Sequence, residues 1–130
     1  MAYTYTFSQG DDLLLEIPIK DLANNNVDLT TATEIVATLT KNNAPITKGG
    51  YSLNAISGYG TLALKSGVGN EHIIEIQIKR TESQMFPDGA LTVEVLVEFP
   101  DAILTDKSTN YQFSGYVLVK KSINKDVPIR

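Results

Sequence analysis

Apolar and polar side chains alternate with period two over most of the chain, the signature of strands with one buried face. From Asp11 to Lys20, Leu13, Leu15, Ile17 and Ile19 fall on one side and Asp12, Glu16 and Lys20 on the other. Pro18 has no amide to give to a ladder, so this strand belongs at a sheet edge or carries a bulge. Thr33 to Lys41 repeats the pattern with Ile35, Ala37 and Leu39 inward, and the turn formers Asn42, Asn43 and Pro45 end it. Thr61 to Lys65 and Glu71 to Lys79 read as the arms of a hairpin around Gly67, Gly69 and Asn70. In the second arm Ile74, Ile76 and Ile78 alternate with Glu75, Gln77 and Lys79. Ala90 to Phe99 turns Leu91, Val93, Val95, Val97 and Phe99 inward. Tyr111 to Lys121 reads as the last strand, with Tyr111, Phe113, Val117 and Val119 on one side.

The segments between are turns and connections. Asp21 to Asp28 holds three consecutive asparagines and reads as a loop, because Asn tolerates left-handed backbone and bonds its own turn. Ile46 to Ser57 is the least periodic part and has room for one short strand. Thr81-x-x-Gln84 has the form of a capping box, predicting one helical turn. Phe86-Pro87-Asp88-Gly89 reads as a turn into the long strand, and Asp101 to Asn110 as a polar connection. Six or seven strands at about ten-residue spacing predict a small all-β, antiparallel sandwich; the spacing leaves immunoglobulin-like, barrel and jelly-roll topologies open.

Composition agrees with this class. Val, Ile and Thr make up 34 of the 130 residues, the β-branched side chains that suit a pleated surface. The length predicts a single domain over residues 1–130, with a core at about 9–121, an N-terminal arm 1–8 and a C-terminal tail 122–130. There is no cysteine, which excludes disulfides, thiolate metal sites and thiol nucleophiles. The net charge is −4 with no basic stripe, so nucleic acid is not the expected partner. Neither a membrane-spanning run nor a secretory leader is read in the sequence, so no membrane partner is expected.

Candidate chemistry is sparse. His72 is the single histidine, so a multi-histidine metal site is excluded, and any Ser-His-Asp triad would have to recruit it. The carboxylates Asp11, Asp12, Asp21 and Asp28 lack the alternate spacing of a calcium loop and read as turn and strand-entry residues. Gly67-x-Gly69 leads into a strand and not a helix, so it is a hairpin turn and not a phosphate loop. The expectation is therefore no catalytic residue, no cofactor and no metal. Apolar residues at outward positions are the exception to the pattern. Tyr3 and Tyr5 alternate with threonines near the N-terminus, and Leu14, Val36, Leu96, Tyr116 and Leu118 stand where polar residues belong. Tyr3, Tyr5, Leu14, Leu96, Tyr116 and Leu118 are the candidate protein interface; if Leu96, Tyr116 and Leu118 cluster on adjacent C-terminal strands, they form a patch of the sort that marks one.

Three stretches in order carry a resemblance: Gln9-Gly10-Asp11-Asp12-Leu13, Val27-Asp28-Leu29-Thr30-Thr31-Ala32-Thr33, and Phe86-Pro87-Asp88-Gly89-Ala90-Leu91, together with Gly115. They resemble the Gly-Asp strand entry, the "VDLTGAT" turn and the "LPxGxY" step of the immunoglobulin-like sandwich of tailed-bacteriophage virion proteins, including the N-terminal domain of baseplate upper proteins. Thr31 stands in place of that family's turn glycine and Leu91 in place of its aromatic. The resemblance implies an antiparallel immunoglobulin-like β-sandwich of about seven strands. It also implies a non-enzymatic structural role: a baseplate or tail adaptor, a head-fibre base or a capsid decoration subunit. The implied partners are other virion proteins and further copies of this chain, and the implied place is the virion, assembled in the host bacterial cytoplasm. The rival reading is a carbohydrate- or host-receptor-binding module.

Overall fold

The computed structural model describes residues 5–47, 50–54, 60–104, 106–113 and 115–124, with Asp106 described by its backbone alone. The chain is all-β. Its elements in order are β1 (Tyr5–Ser8), β2 (Leu13–Pro18), β3 (Glu34–Lys41), β4 (Ala44–Pro45), β5 (Tyr51–Ser52), β6 (Gly60–Leu64), β7 (Ile73–Ile78), α1 (Arg80–Ser83), β8 (Gly89–Pro100), β9 (Asp106–Gln112) and β10 (Val117–Lys120).

Strand pairing runs continuously through the order β1-β10-β8-β3-β5-β6-β7-β2, with β4 added to β3 and β9 to β8. The two terminal strands of this path, β1 and β2, meet through the Tyr5 hydroxyl, which donates to the main-chain oxygen of Glu16. The result is a nearly closed, barrel-like sheet. Two of its pairings, β1 with β10 and β5 with β6, are parallel, so the expected purely antiparallel arrangement is corrected.

The core follows the period-two pattern. Leu15 and Ile17 of β2 lie opposite Ile76 and Ile74 of β7, and Leu62 of β6 lies opposite Ile76 on the other side. Leu91, Val93, Val95 and Val97 of β8 are buried with Ile35, Ala37 and Leu39 of β3. Each buried Leu, Ile or Val side chain contributes about 1.5–3 kcal/mol on leaving water, so the inward rows specify the register. Pro18 sits at the end of β2, the last strand of the path, where no ladder partner needs its missing amide. Asn42 and Asn43 adopt left-handed backbone (φ 53° and 64°) and make the two-residue turn between β3 and β4. Gly50 (φ 67°) lies where a Cβ would come within 2.6 Å of the Ala37 carbonyl oxygen, a close approach open only to glycine.

Several expectations change. Tyr5–Ser8, inside the expected N-terminal arm, pairs as a strand beside β10, as the alternation of Tyr5 with Thr4 and Thr6 allows. Residues 106–110, expected in a connection, form most of β9, which pairs with β8 from Glu94 to Pro100. The expected single strand from Tyr111 to Lys121 is broken. β9 places Gln112 opposite Glu94, whereas β10 places Val117 opposite Leu91, so the last segment carries a two-residue bulge. An even insertion keeps parity, which is why Phe113, Val117 and Val119 are all buried despite the break. The capping box is also displaced. The N-cap of α1 is Lys79, whose amide donates to Glu82 Oε1 at 2.9 Å, while Thr81 lies inside the turn.

The first and third motifs meet in space. Gln9 Nε2 donates to the Phe86 carbonyl (2.7 Å), and Gln9 Oε1 accepts from the Ser122 amide (3.1 Å). Ser83 Oγ donates to the Asp11 carbonyl (2.7 Å) and accepts from the Gly10 amide (3.0 Å). Arg80 reaches the carbonyls of Gly10 and Asn124, both at 3.2 Å. The β1–β2 turn, α1 and the chain after β10 thus form one hydrogen-bonded corner.

Candidate functional site: an open seam beside β9

β9 and β10 occupy the same edge of β8 in succession, and β1 extends the sheet only beyond β10. Along the other half of β8 the last strand is β9, which among the described residues is paired on one side alone. Its outer edge borders an open cleft of about 1220 Å³. One wall is Pro18 and the turn Lys20–Asn24; the other is Thr109–Phe113 with Gly115 and Tyr116. The Phe113 amide donates to the Val93 carbonyl at 3.0 Å. Because amides alternate in direction along an antiparallel strand, those of Ser108, Asn110 and Gln112 point to the open edge. The seam between the two ends of the sheet path is therefore closed at β1 and open at β9.

Tyr5 stands where the closed half ends. Its ring is partly buried, with its centroid 6.3 Å from that of Phe113 at a 36° tilt. Burial, and then the negative charge of Glu16, push its phenol above the ordinary value. Glu16 in turn pairs with Lys65 at 2.9 Å, an ion pair that surrounding water screens.

The other candidate interface residues are scattered. Tyr116 lines the cleft, and its carbonyl accepts from the Tyr5 amide at 3.3 Å. Leu96 lies opposite Val36 of β3 and Asn110 of β9, whereas Leu118 lies opposite Ala90. Six positions of β8 separate Leu96 from Ala90, about 20 Å along an extended strand, so Leu96 and Leu118 do not share one patch. Leu96 and Leu118 are half-buried, and Leu14 on β2 is 55% exposed. Tyr3 lies outside the described residues.

The carboxylates serve the backbone. Asp11 accepts from the Ser8 amide, Asp12 from the Arg80 amide, and Asp21 from the amides of Ala23 and Asn25. Asp28 accepts from both the amide and the hydroxyl of Thr30, and these bonds hold its carboxyl below the ordinary value. His72 leads into β7, where its carbonyl accepts from the Ile19 amide at 2.8 Å. Among the described residues no group of three His, Asp or Glu side chains converges as a metal site. No described helix is long and apolar enough to cross a membrane.

Sequence reasoning named Tyr5 and Tyr116 at the seam but missed the amide-bearing side chains beside them, Asn24, Asn110 and Gln112. β9 reads Asp-Lys-Ser-Thr-Asn-Tyr-Gln, without the apolar alternation that would have marked it as a strand. No family model and no curated protein sequence matches this chain.

Proposed function

We propose that this chain is a non-enzymatic structural subunit of a tailed-phage virion, acting as an adaptor, a fibre base or a decoration protein through contacts with other virion proteins or its own copies. In this reading the barrel-like sheet is a variant of the immunoglobulin-like sandwich in which β1 has moved beside β10. The observation that carries the proposal is the open edge of β9. A strand with outward amides beside a cleft is an acceptor for an extended segment of another chain, the mode by which β-proteins add a neighbour's strand. The residues preceding β1 are the proposed donor segment. Asn110→Pro tests the acceptor: it deletes an amide facing the open edge and leaves the ladder to β8 intact. Light scattering on the full chain, on Asn110→Pro and on a chain without residues 1–4 is the experiment. A defined oligomer that both changes reduce to monomer is the expected result.

A second reading, saccharide binding, is favoured by the cleft's lining of Tyr111 and Tyr116 beside Asn24, Asn110 and Gln112. Aromatic faces pack against sugar C–H groups and amides bond hydroxyls, so the lining suits a neutral glycan. A protein monomeric at every concentration that binds on a glycan array would move the assignment to this reading.

A further inference from the structure

Three loops end on the same side of the barrel. β2, β6 and β8 run in one direction, since each is antiparallel to a strand, β7 or β3, that runs the other way, and β5 links the two sets by pairing parallel to β6. The β2–β3, β6–β7 and β8–β9 loops therefore share one end. Each presents aliphatic side chains directly to solvent: Leu22 (109% exposed), Val68 (100%), and Ile103 with Leu104 (93% and 58%). The other large exposed apolar residues among those described are Leu14, Met85 and Ile123, which lie on β2, after α1 and after β10.

These tips are held by defined turns. Asp21 Oδ1 accepts from the amides of Ala23 and Asn25, both at 2.9 Å, and Asn24 takes left-handed backbone (φ 65°), which places Leu22 at the apex. Asn70 Nδ2 donates to the Ser66 carbonyl at 2.8 Å across Gly67 and Gly69, with Val68 between them. Asp101 Oδ1 accepts from the amides of Ile103 and Leu104 at 2.8 and 2.9 Å. The loops are tied to neighbouring backbone by Ile19 to His72, Leu29 to Glu71 and Thr33 to Glu98. A side chain fixed in water by its own turn adds nothing to the folded core.

The charges around the tips select the occupant. The loops carry Asp21, Asp28, Glu71 and Asp101 against Lys20 and Lys65; Lys65 is paired with Glu16, and Lys107 of β9, next in sequence to Asp106, acts on Asp101. An acidic end disfavours an anionic bilayer, and the tips lack the aromatic and basic flanks of an interfacial anchor. Two copies meeting end to end would oppose like charges. We propose that this end is a docking surface that seats Leu22, Val68, Ile103 and Leu104 in apolar pockets of a protein partner whose rim is basic. It stands on the loops alone and does not require the virion reading.

The test uses the full chain, an amphipathic Leu/Lys helical peptide, its Leu/Glu counterpart, and vesicles of phosphatidylcholine with and without phosphatidylglycerol. Fluorescence anisotropy is expected to show binding of the Leu/Lys peptide only. That affinity should fall about tenfold in a chain carrying Leu22→Ser, Val68→Ser, Ile103→Ser and Leu104→Ser, with its circular dichroism melt unchanged. Asp21→Asn with Asp101→Asn keeps the turn-capping oxygens and removes two charges, and should weaken binding about threefold at low salt. The proposal is overturned by absent binding, by equal affinity for the Leu/Glu peptide, by a peptide affinity that the serine substitutions leave unchanged, or by vesicle binding or self-association that they abolish.

Discussion

Ser83→Ala isolates the corner that joins the β1–β2 turn to α1. Ser83 is fully buried, and its hydroxyl serves two backbone groups at once, accepting from Gly10 N–H at 3.0 Å and donating to the Asp11 carbonyl at 2.7 Å. Alanine removes both bonds and opens no room for a replacing water beyond the lost oxygen. An unsatisfied backbone donor or acceptor costs about 1–3 kcal/mol, and these two are only partly buried, so the expected loss is about 2–4 kcal/mol. Unfolding entropy of about 2.1 cal/mol/K per residue makes 1 kcal/mol worth about 4 °C in a domain of this size, so Tm should drop by about 7–15 °C. Urea denaturation followed by far-ultraviolet circular dichroism measures the loss, with the m-value unchanged because the same surface is exposed. Hydrogen exchange supplies a second readout: the Gly10 amide should lose protection while the Ile76 amide keeps most of its own. A loss below about 0.5 kcal/mol, or unchanged protection at Gly10, would show that the hydroxyl does not hold the corner.

Other perturbations test other parts of the fold. Gly50→Ala should cost more than about 2 kcal/mol, because it adds a clash with the Ala37 carbonyl to left-handed strain; Gly69→Ala (φ 88°), with nothing within 4 Å of its Cβ, should cost only about 1 kcal/mol, and equal urea midpoints for the two would refute the contact argument. The Asp28 carboxyl, held down by the hydroxyl and then the amide of Thr30, contributes stability that is present above the unfolded pKa and is lost as pH falls through the lower folded value. Carbon-detected NMR titration should place its midpoint below about 3.9, and Thr30→Ala should move it back up. For Tyr5 the sign is opposite: its raised phenol supplies stability below the unfolded value of about 10 that is lost as pH rises towards the folded one. Alkaline spectrophotometric titration should show a late-ionising component that shrinks by one tyrosine in Tyr5→Phe.

The strands that carry the core were legible because each obeys a local rule. Leu13 to Ile19, Ile35 to Leu39, Ile74 to Ile78 and Leu91 to Val97 alternate, and the alternation alone states which face is buried. The Asn42-Asn43 turn and the step at Phe86 to Gly89 were legible for a similar reason, since their residues prefer the backbone they adopt. Three features could not be read this way. β9 is held chiefly by its ladder to β8, so its outward residues are free to be polar and its pattern resembles a loop. β1 pairs parallel to β10, a partner more than one hundred positions away in the chain. The capping of α1 fell to Lys79 and Glu82 because the incoming direction of β7 sets where the helical turn begins.

What the sequence determined by itself is the all-β class, the inward rows of the principal strands and the turns between them, since these depend on side-chain period and local backbone preference. The tertiary structure decided which strands are neighbours, that β9 and β10 share one edge of β8, and that three apolar loop tips face the same end. Backbone hydrogen bonds carry no side-chain label, so a strand's neighbours are settled by the best joint burial of all the rows. The open seam is the place where that joint solution, among the described residues, leaves an edge unpaired.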